Sequence, residues 1–193
     1  GQNTAVGYAA LTANTTASGN TAVGDSAMEA NTTGTLNVAM GEDALKSNTT
    51  GIANVAVGSN ALEANTTASN NNAFGASALI ANTTGSHNNA FGTLALDACT
   101  TGNQNVAMGS NALGANTTGT GSTAIGFQAL LSNTTGTNTG LGYQALYNNT
   151  TGTSNTSVGL NSGFAATTGD ENTYLGVSAG ENVTGGSLNT LIG

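Results

Sequence analysis

Large apolar side chains fall at two places in a short recurring unit, and nearly everything between them is Ala, Asn, Thr or Gly. The first series is Val6, Val23, Met40, Val57, Phe74, Phe91, Met108, Ile125, Leu141, Val158, Leu175 and Ile192. Each member is followed at once by glycine, from Gly7 to Gly193, at steps of 17 residues with a single 16-residue step between Gly126 and Gly142. The second series is Leu11, Met28, Leu45, Leu62, Leu79, Leu96, Leu113, Leu130 and Leu146, after which Gly163 and Gly180 take its place. Self-similarity at a fixed short period is the signature of a stacked, quasi-one-dimensional architecture.

Counted from its leading asparagine, the unit reads N-T/V-A-V/M/F/I-G-x-x-A-L-x-A/S-N-T-T-G/A-x-x. The T-A-V-G or V-A-M-G segment is short, apolar and rich in β-branched residues, which predicts a strand ended by glycine. That glycine is expected at a tight corner or at positive φ. The following x-A-L-x-A-N segment fits either a second short strand or a single helical turn. N-T-T-G is turn chemistry. The whole is an all-β class: a β-solenoid, parallel β-helix or β-roll, of 17-residue coils. About eleven units over residues 1–193 form one array, about 50 Å long at the usual strand spacing.

In this reading the fourth and ninth positions stack into two apolar ladders that form the core, so that Val57, Phe74 and Leu79 point inward. The third and eighth positions, as in Ala22, Ala39, Ala56, Ala27, Ala44 and Ala61, are small. They either fill a thin cross-section or admit a second copy of the chain at close range. The residue missing near Thr137 should be absorbed in a turn, since both apolar series resume in phase. Phe164 and Tyr174, arriving where leucine gives way to Gly163 and Gly180, predict altered packing in the last coils. The chain begins and ends inside a repeat, as a segment of a longer protein would.

Composition narrows the function. Charged residues are only 5% of the chain, against a usual ~25%. Lys46 is the one strong base, and the net charge is -8. With no basic patch, nucleic-acid binding is not expected. No apolar run reaches the length of a membrane span, so membrane insertion is not expected either. Cys99 is alone, replacing a repeat asparagine, and reads as a drifted turn residue. No cofactor and no metal site are expected, because there is no His/Cys cluster and no D-x-D loop. His87 is the only histidine and lies in a variable turn. The adjacent acids Glu42-Asp43 and Asp170-Glu171 do not resemble a carboxylate pair facing across a sugar. The chain is therefore not expected to be an enzyme.

The N-T-T triplets remain. Asn14, Asn31, Asn48, Asn65, Asn82, Asn116, Asn133 and Asn149 each begin one, and should line one edge. Stacked amides could hydrogen-bond from coil to coil. The same eight asparagines sit in N-glycosylation acceptor patterns, as do Asn148, Asn155 and Asn182. Regular threonine ladders on a charge-poor face also admit ice binding.

The segments N-V-A-M-G, N-V-A-V-G and S-T-A-I-G resemble the head repeats of trimeric autotransporter adhesins. The full unit, as in Gly142-Tyr-Gln-Ala-Leu-Tyr-Asn-Asn-Thr-Thr-Gly152, is similar to the repeats of bacterial and phage tail-fibre-like proteins. The likeness covers essentially the whole chain, although the 17-residue unit is longer than the adhesin head repeat. It implies an extracellular fibre, at a cell or virion surface, used for attachment and often homotrimeric. The expected role is a structural shaft that self-associates as a filament or homotrimer, with surface glycans as a candidate partner. A carbohydrate-recognising or ice-binding module is the alternative.

Overall fold

The structure, a computed structural model, describes residues 2–193. Each coil gives one three-residue strand: β1 Thr4–Val6, β2 Thr21–Val23, β3 Val38–Met40, β4 Val55–Val57, β5 Asn72–Phe74, β6 Asn89–Phe91, β7 Val106–Met108, β8 Thr123–Ile125, β9 Thr139–Leu141, β10 Thr156–Val158, β11 Thr173–Leu175 and β12 Thr190–Ile192. They pair in parallel and in chain order into one twelve-stranded sheet. Equivalent residues face one another, Thr21 with Val38, Ala22 with Ala39 and Val23 with Met40. Register survives the short step, where Thr123 still pairs with Thr139. The missing residue is absorbed in the turn before Asn138, as the sequence predicts. The array is an all-β parallel β-solenoid.

Neither a second strand nor a helical turn follows the glycine. The x-A-L-x-A-N segment is a run of linked tight turns. In the third coil the Ala44 N–H donates to Gly41 O (3.3 Å), Lys46 to Asp43 O (3.2 Å) and Asn48 to Leu45 O (3.1 Å). The residues between them bond along the rod: Asp43 N–H to Asp25 O (2.9 Å) in the coil before, and Leu45 N–H to Ala61 O (3.0 Å) in the coil after. This alternation needs left-handed residues at the seventh and ninth positions, and both carry them: Asp43 has φ 57° and Leu45 φ 50°. Positive φ at the third residue is the mark of a type II turn. The corner glycine has a steric reason as well. A Cβ at Gly58 (φ 134°) would come within 2.6 Å of the Gly75 carbonyl carbon.

The core is thinner than the sequence suggests. A three-residue strand turns only its middle side chain inward. From the second coil on, Ala22, Ala39, Ala56 and their equivalents to Ala124 are therefore fully buried, together with Ala27, Ala44, Ala61 and the ninth-position residues from Met28 to Leu146. This corrects two expectations. The fourth position faces outward: Phe74 is 37% exposed and Val57 partly so, while Leu79 alone of the three named residues is in the core. The alanines, already enclosed by their own chain, offer no contact surface to another copy.

The last coils repack by exchange. Tyr174 replaces the strand alanine and is fully buried. Its ring lies where side chains on Gly163 and Gly180 would stand, since a Cβ on Gly163 would meet Tyr174 Cδ2 at 2.7 Å. One large residue thus takes over part of the space that two leucines vacate. We expect Leu79→Ala to cost about 2–5 kcal/mol and Tyr174→Ala about 3–5 kcal/mol. Adding Gly163→Leu and Gly180→Leu to Tyr174→Ala restores the repeat and should recover most of that loss. Urea denaturation of the four chains checks both statements.

Candidate functional site

The strongest organised chemistry is a pair of asparagine ladders inside the rod. The first is built from the leading asparagine of each unit. Asn20 Oδ1 accepts from the Asn37 N–H (2.9 Å) while Asn20 Nδ2 donates to Gly34 O (2.8 Å). Asn37 does the same for Asn54 N–H (2.9 Å) and Gly51 O (2.8 Å). Asn88 likewise serves Asn105 N–H (3.0 Å) and Gly102 O (2.8 Å). Each amide fixes the corner through which the chain enters the next strand. Sequence reasoning assigned this asparagine no role, although its recurrence in nearly every unit was the available signal.

The second ladder is the N-T-T series, which aligns along one edge as expected but points inward. Asn48 Nδ2 donates to Asn31 Oδ1 (2.9 Å) and Asn65 Nδ2 to Asn48 Oδ1 (2.8 Å). Asn31 Nδ2 also donates to Gly34 O (3.0 Å), so both ladders converge on one carbonyl. Asn31, Asn48, Asn65, Asn82, Asn116, Asn133 and Asn149 are fully buried, and Asn14 in the first coil is half-buried. A glycan on Nδ2 has no exit from this interior, and one attached earlier would keep the ladder from closing. Asn182, by contrast, is exposed. In most triplets the first threonine sends its hydroxyl along the rod, as Thr32 Oγ1 to Thr49 O at 3.0 Å, while the second, as at Thr33 and Thr50, is exposed.

Cys99 interrupts the second ladder. Its thiol is buried and makes one long contact, to Gly102 O at 3.7 Å. On either side a buried atom is left without a partner: Asn82 Oδ1 and Asn116 Nδ2. An asparagine at this position would accept from one and donate to the other. Burial pushes the Cys99 thiol from 9.0 up to about 11, which disfavours the nucleophilic thiolate.

Outside, the residues weighed for catalysis stand apart. His87 is an exposed turn residue at φ 63°. Asp43 pairs with Lys46 at 3.0 Å, and that hydrogen bond holds the lysine above its ordinary pKa. Asp170 accepts the Thr153 N–H at 2.7 Å. Desolvation raises the Asp97 carboxyl. Among the described residues there is no pocket and no grouping of three metal-ligating side chains. Aromatic rings stack along the axis instead: Phe74 on Phe91 at 4.8 Å, Phe127 on Tyr143 at 5.3 Å and Tyr147 on Phe164 at 5.1 Å. Gln144 Nε2 donates to Gln128 Oε1 (2.8 Å) in the same coils. No family model, curated protein or solved structure matches the chain.

Three outcomes are expected. Cys99→Asn should close the ladder and stabilise the rod, by about 1–3 kcal/mol for each buried group it satisfies, read as a raised melting temperature. The native thiol pKa lies above the unfolded one, so its contribution to stability is present below pH 9 and lost as pH rises toward 11. Cys99→Asn should remove that alkaline decline in melting temperature. Mass spectrometry of the native chain should show the eight N-T-T asparagines unmodified.

Proposed function

We propose that this chain is a structural shaft: a rigid repeat segment of an extracellular fibre or filament that displays attachment functions at a cell or virion surface. The observation that carries this reading is the unbroken register of twelve parallel strands. Each added coil extends the sheet by one strand, about 4.8 Å, without changing the cross-section. Such a chain converts residues into length and a periodic surface. The reading also makes it non-enzymatic, supported by the separation of His87 from the acid pairs. Self-association belongs to the same proposal, since fibres gain stiffness by running several rods side by side.

Carbohydrate recognition is the second reading. It is favoured by one strip, where Phe127, Tyr143, Tyr147 and Phe164 accompany the Gln128–Gln144 amide pair. Against it, each ring faces a neighbouring ring along the axis, which occupies faces that a sugar would need.

Antibodies against the recombinant chain, applied to the native source and viewed by immunoelectron microscopy, should decorate thin surface fibres. Label confined to the cell interior would overturn the shaft reading. Tandem duplication of the array should lengthen isolated rods from about 50 Å to about 100 Å.

A further inference from the structure

The fourth position carries no polar residue in any of its twelve occurrences, yet it faces outward. Phe74, Phe91, Met108 and Leu141 are each 37–43% exposed, on a strand face without a single charge. The result is a straight apolar stripe, repeating every ~4.8 Å over about 50 Å. Its flank changes along the rod. At the sixth position, just past the corner glycine, the first coils carry Asp25, Glu42 and Ser59 after Tyr8. The later coils carry Phe127, Tyr143, Leu160 and Val177, all exposed, Val177 by 66%.

We infer that this stripe is the contact between copies of the chain lying side by side, parallel and in register. The inference rests on the shaft reading and names its partner and geometry. Two features select a second copy. A partner must present apolar knobs at the same ~4.8 Å repeat over the full length for the two surfaces to interdigitate, and another copy does so by construction. The outer face of the three-residue strands, about 50 Å by about 10 Å, offers about 500 Å², and the apolar shoulder of the later coils adds to it, toward the ~800 Å² that each partner gives to a stable interface.

The asymmetric flank selects the direction. In an antiparallel pair, Asp25 and Glu42 of one rod would press on Leu160 and Val177 of the other, and carboxylates would lose water without gaining partners. In a parallel pair the two-fold axis runs along the rods, so each shoulder lies against the partner's second-position column, Thr21, Val38 and Val55 in the early coils and Thr139, Thr156 and Thr173 in the later ones, which carries no charge. The acids of the two copies then stand on opposite rims of the contact, open to solvent and away from the apolar shoulders. Contact is tightest over the later coils, where stripe and shoulder are both apolar.

Sedimentation equilibrium of the whole chain should show association at micromolar concentration. Phe91→Thr, Met108→Thr and Leu141→Thr together should weaken it more than tenfold with β circular dichroism unchanged, because threonine already occupies the other outward strand position in many coils. Direction is read by oxidative cross-linking in a Cys99→Asn background. Val158→Cys alone, on the stripe itself, should give covalent dimers, whereas mixed Met40→Cys and Val158→Cys chains, which only antiparallel packing would bring together, should give few heterodimers. A chain monomeric at all concentrations, a triple variant that stays associated, or preferred cross-links between positions 40 and 158 would each overturn the inference. So would a monomer that uses the stripe to bind phosphatidylcholine vesicles. Surface fibres one rod thick in the microscope would remove this inference and leave the shaft reading standing.

Discussion

Nearly every coil of the rod depends on a primary amide that is donor and acceptor at once. The leading asparagine reaches forward to the corner where the chain re-enters the sheet, takes the N–H of the next leading asparagine, and gives its own hydrogen to a carbonyl three residues upstream of it. Both backbone groups are buried, and neither can reach water or a strand partner. An alanine there would orphan two groups in each affected coil, and buried groups without partners are costly. Ser122 shows how narrow the requirement is. Its hydroxyl donates to Gly136 O (2.9 Å) and accepts from the Asn138 N–H (3.2 Å), the same two connections made by one oxygen. A hydrocarbon cannot do this, which is why so polar a composition yields so ordered a fold.

The rest of the coil follows from that corner. With only three residues spent on strand, the chain must return through a run of turns while keeping its backbone bonded above and below. Alternating φ signs meet this demand by sending successive N–H groups to the previous coil, to the same coil and to the next. The cost is a left-handed leucine in coil after coil, a conformation that side chains with a Cβ adopt reluctantly. Burial of the leucine side chain offsets the strain. Where it is lost, at Gly163 and Gly180, glycine keeps the same conformation, with φ 60° and 65°, and the Tyr174 ring fills part of the vacated space.

The period, the strand, its glycine stop and the in-phase recovery after the short step were legible from the sequence, because each is a property of spacing. Facing was not. In a long strand, alternation of apolar and polar residues reveals which side is inside. In Thr21–Val23 the only inward residue is Ala22, and size misleads, since the larger Val23 lies outside. The ninth position was read correctly because Leu79 stands among small and polar neighbours. The turn run was missed because x-A-L-x-A-N fits a short strand or a helical turn by local preference, and inter-coil bonding overrides both. The N-T-T asparagines look like surface acceptors in any linear reading, and only the closed coil shows Asn48 and Asn65 bonded to each other in the interior.

The hydrogen bonds that join one coil to the next run parallel to the long axis, and β1 and β12 lie at opposite ends of the sheet. A pull along that axis therefore loads every inter-coil layer in series, and the weakest layer yields first. Each coil that peels away releases about 17 residues, some 55–60 Å of extended chain, in exchange for about 4.8 Å of rod. A tether built this way gives ground in equal steps under tension and stays attached while it lengthens. A gap in the ladder such as the one at Cys99 divides the stack into segments that need not yield at the same load.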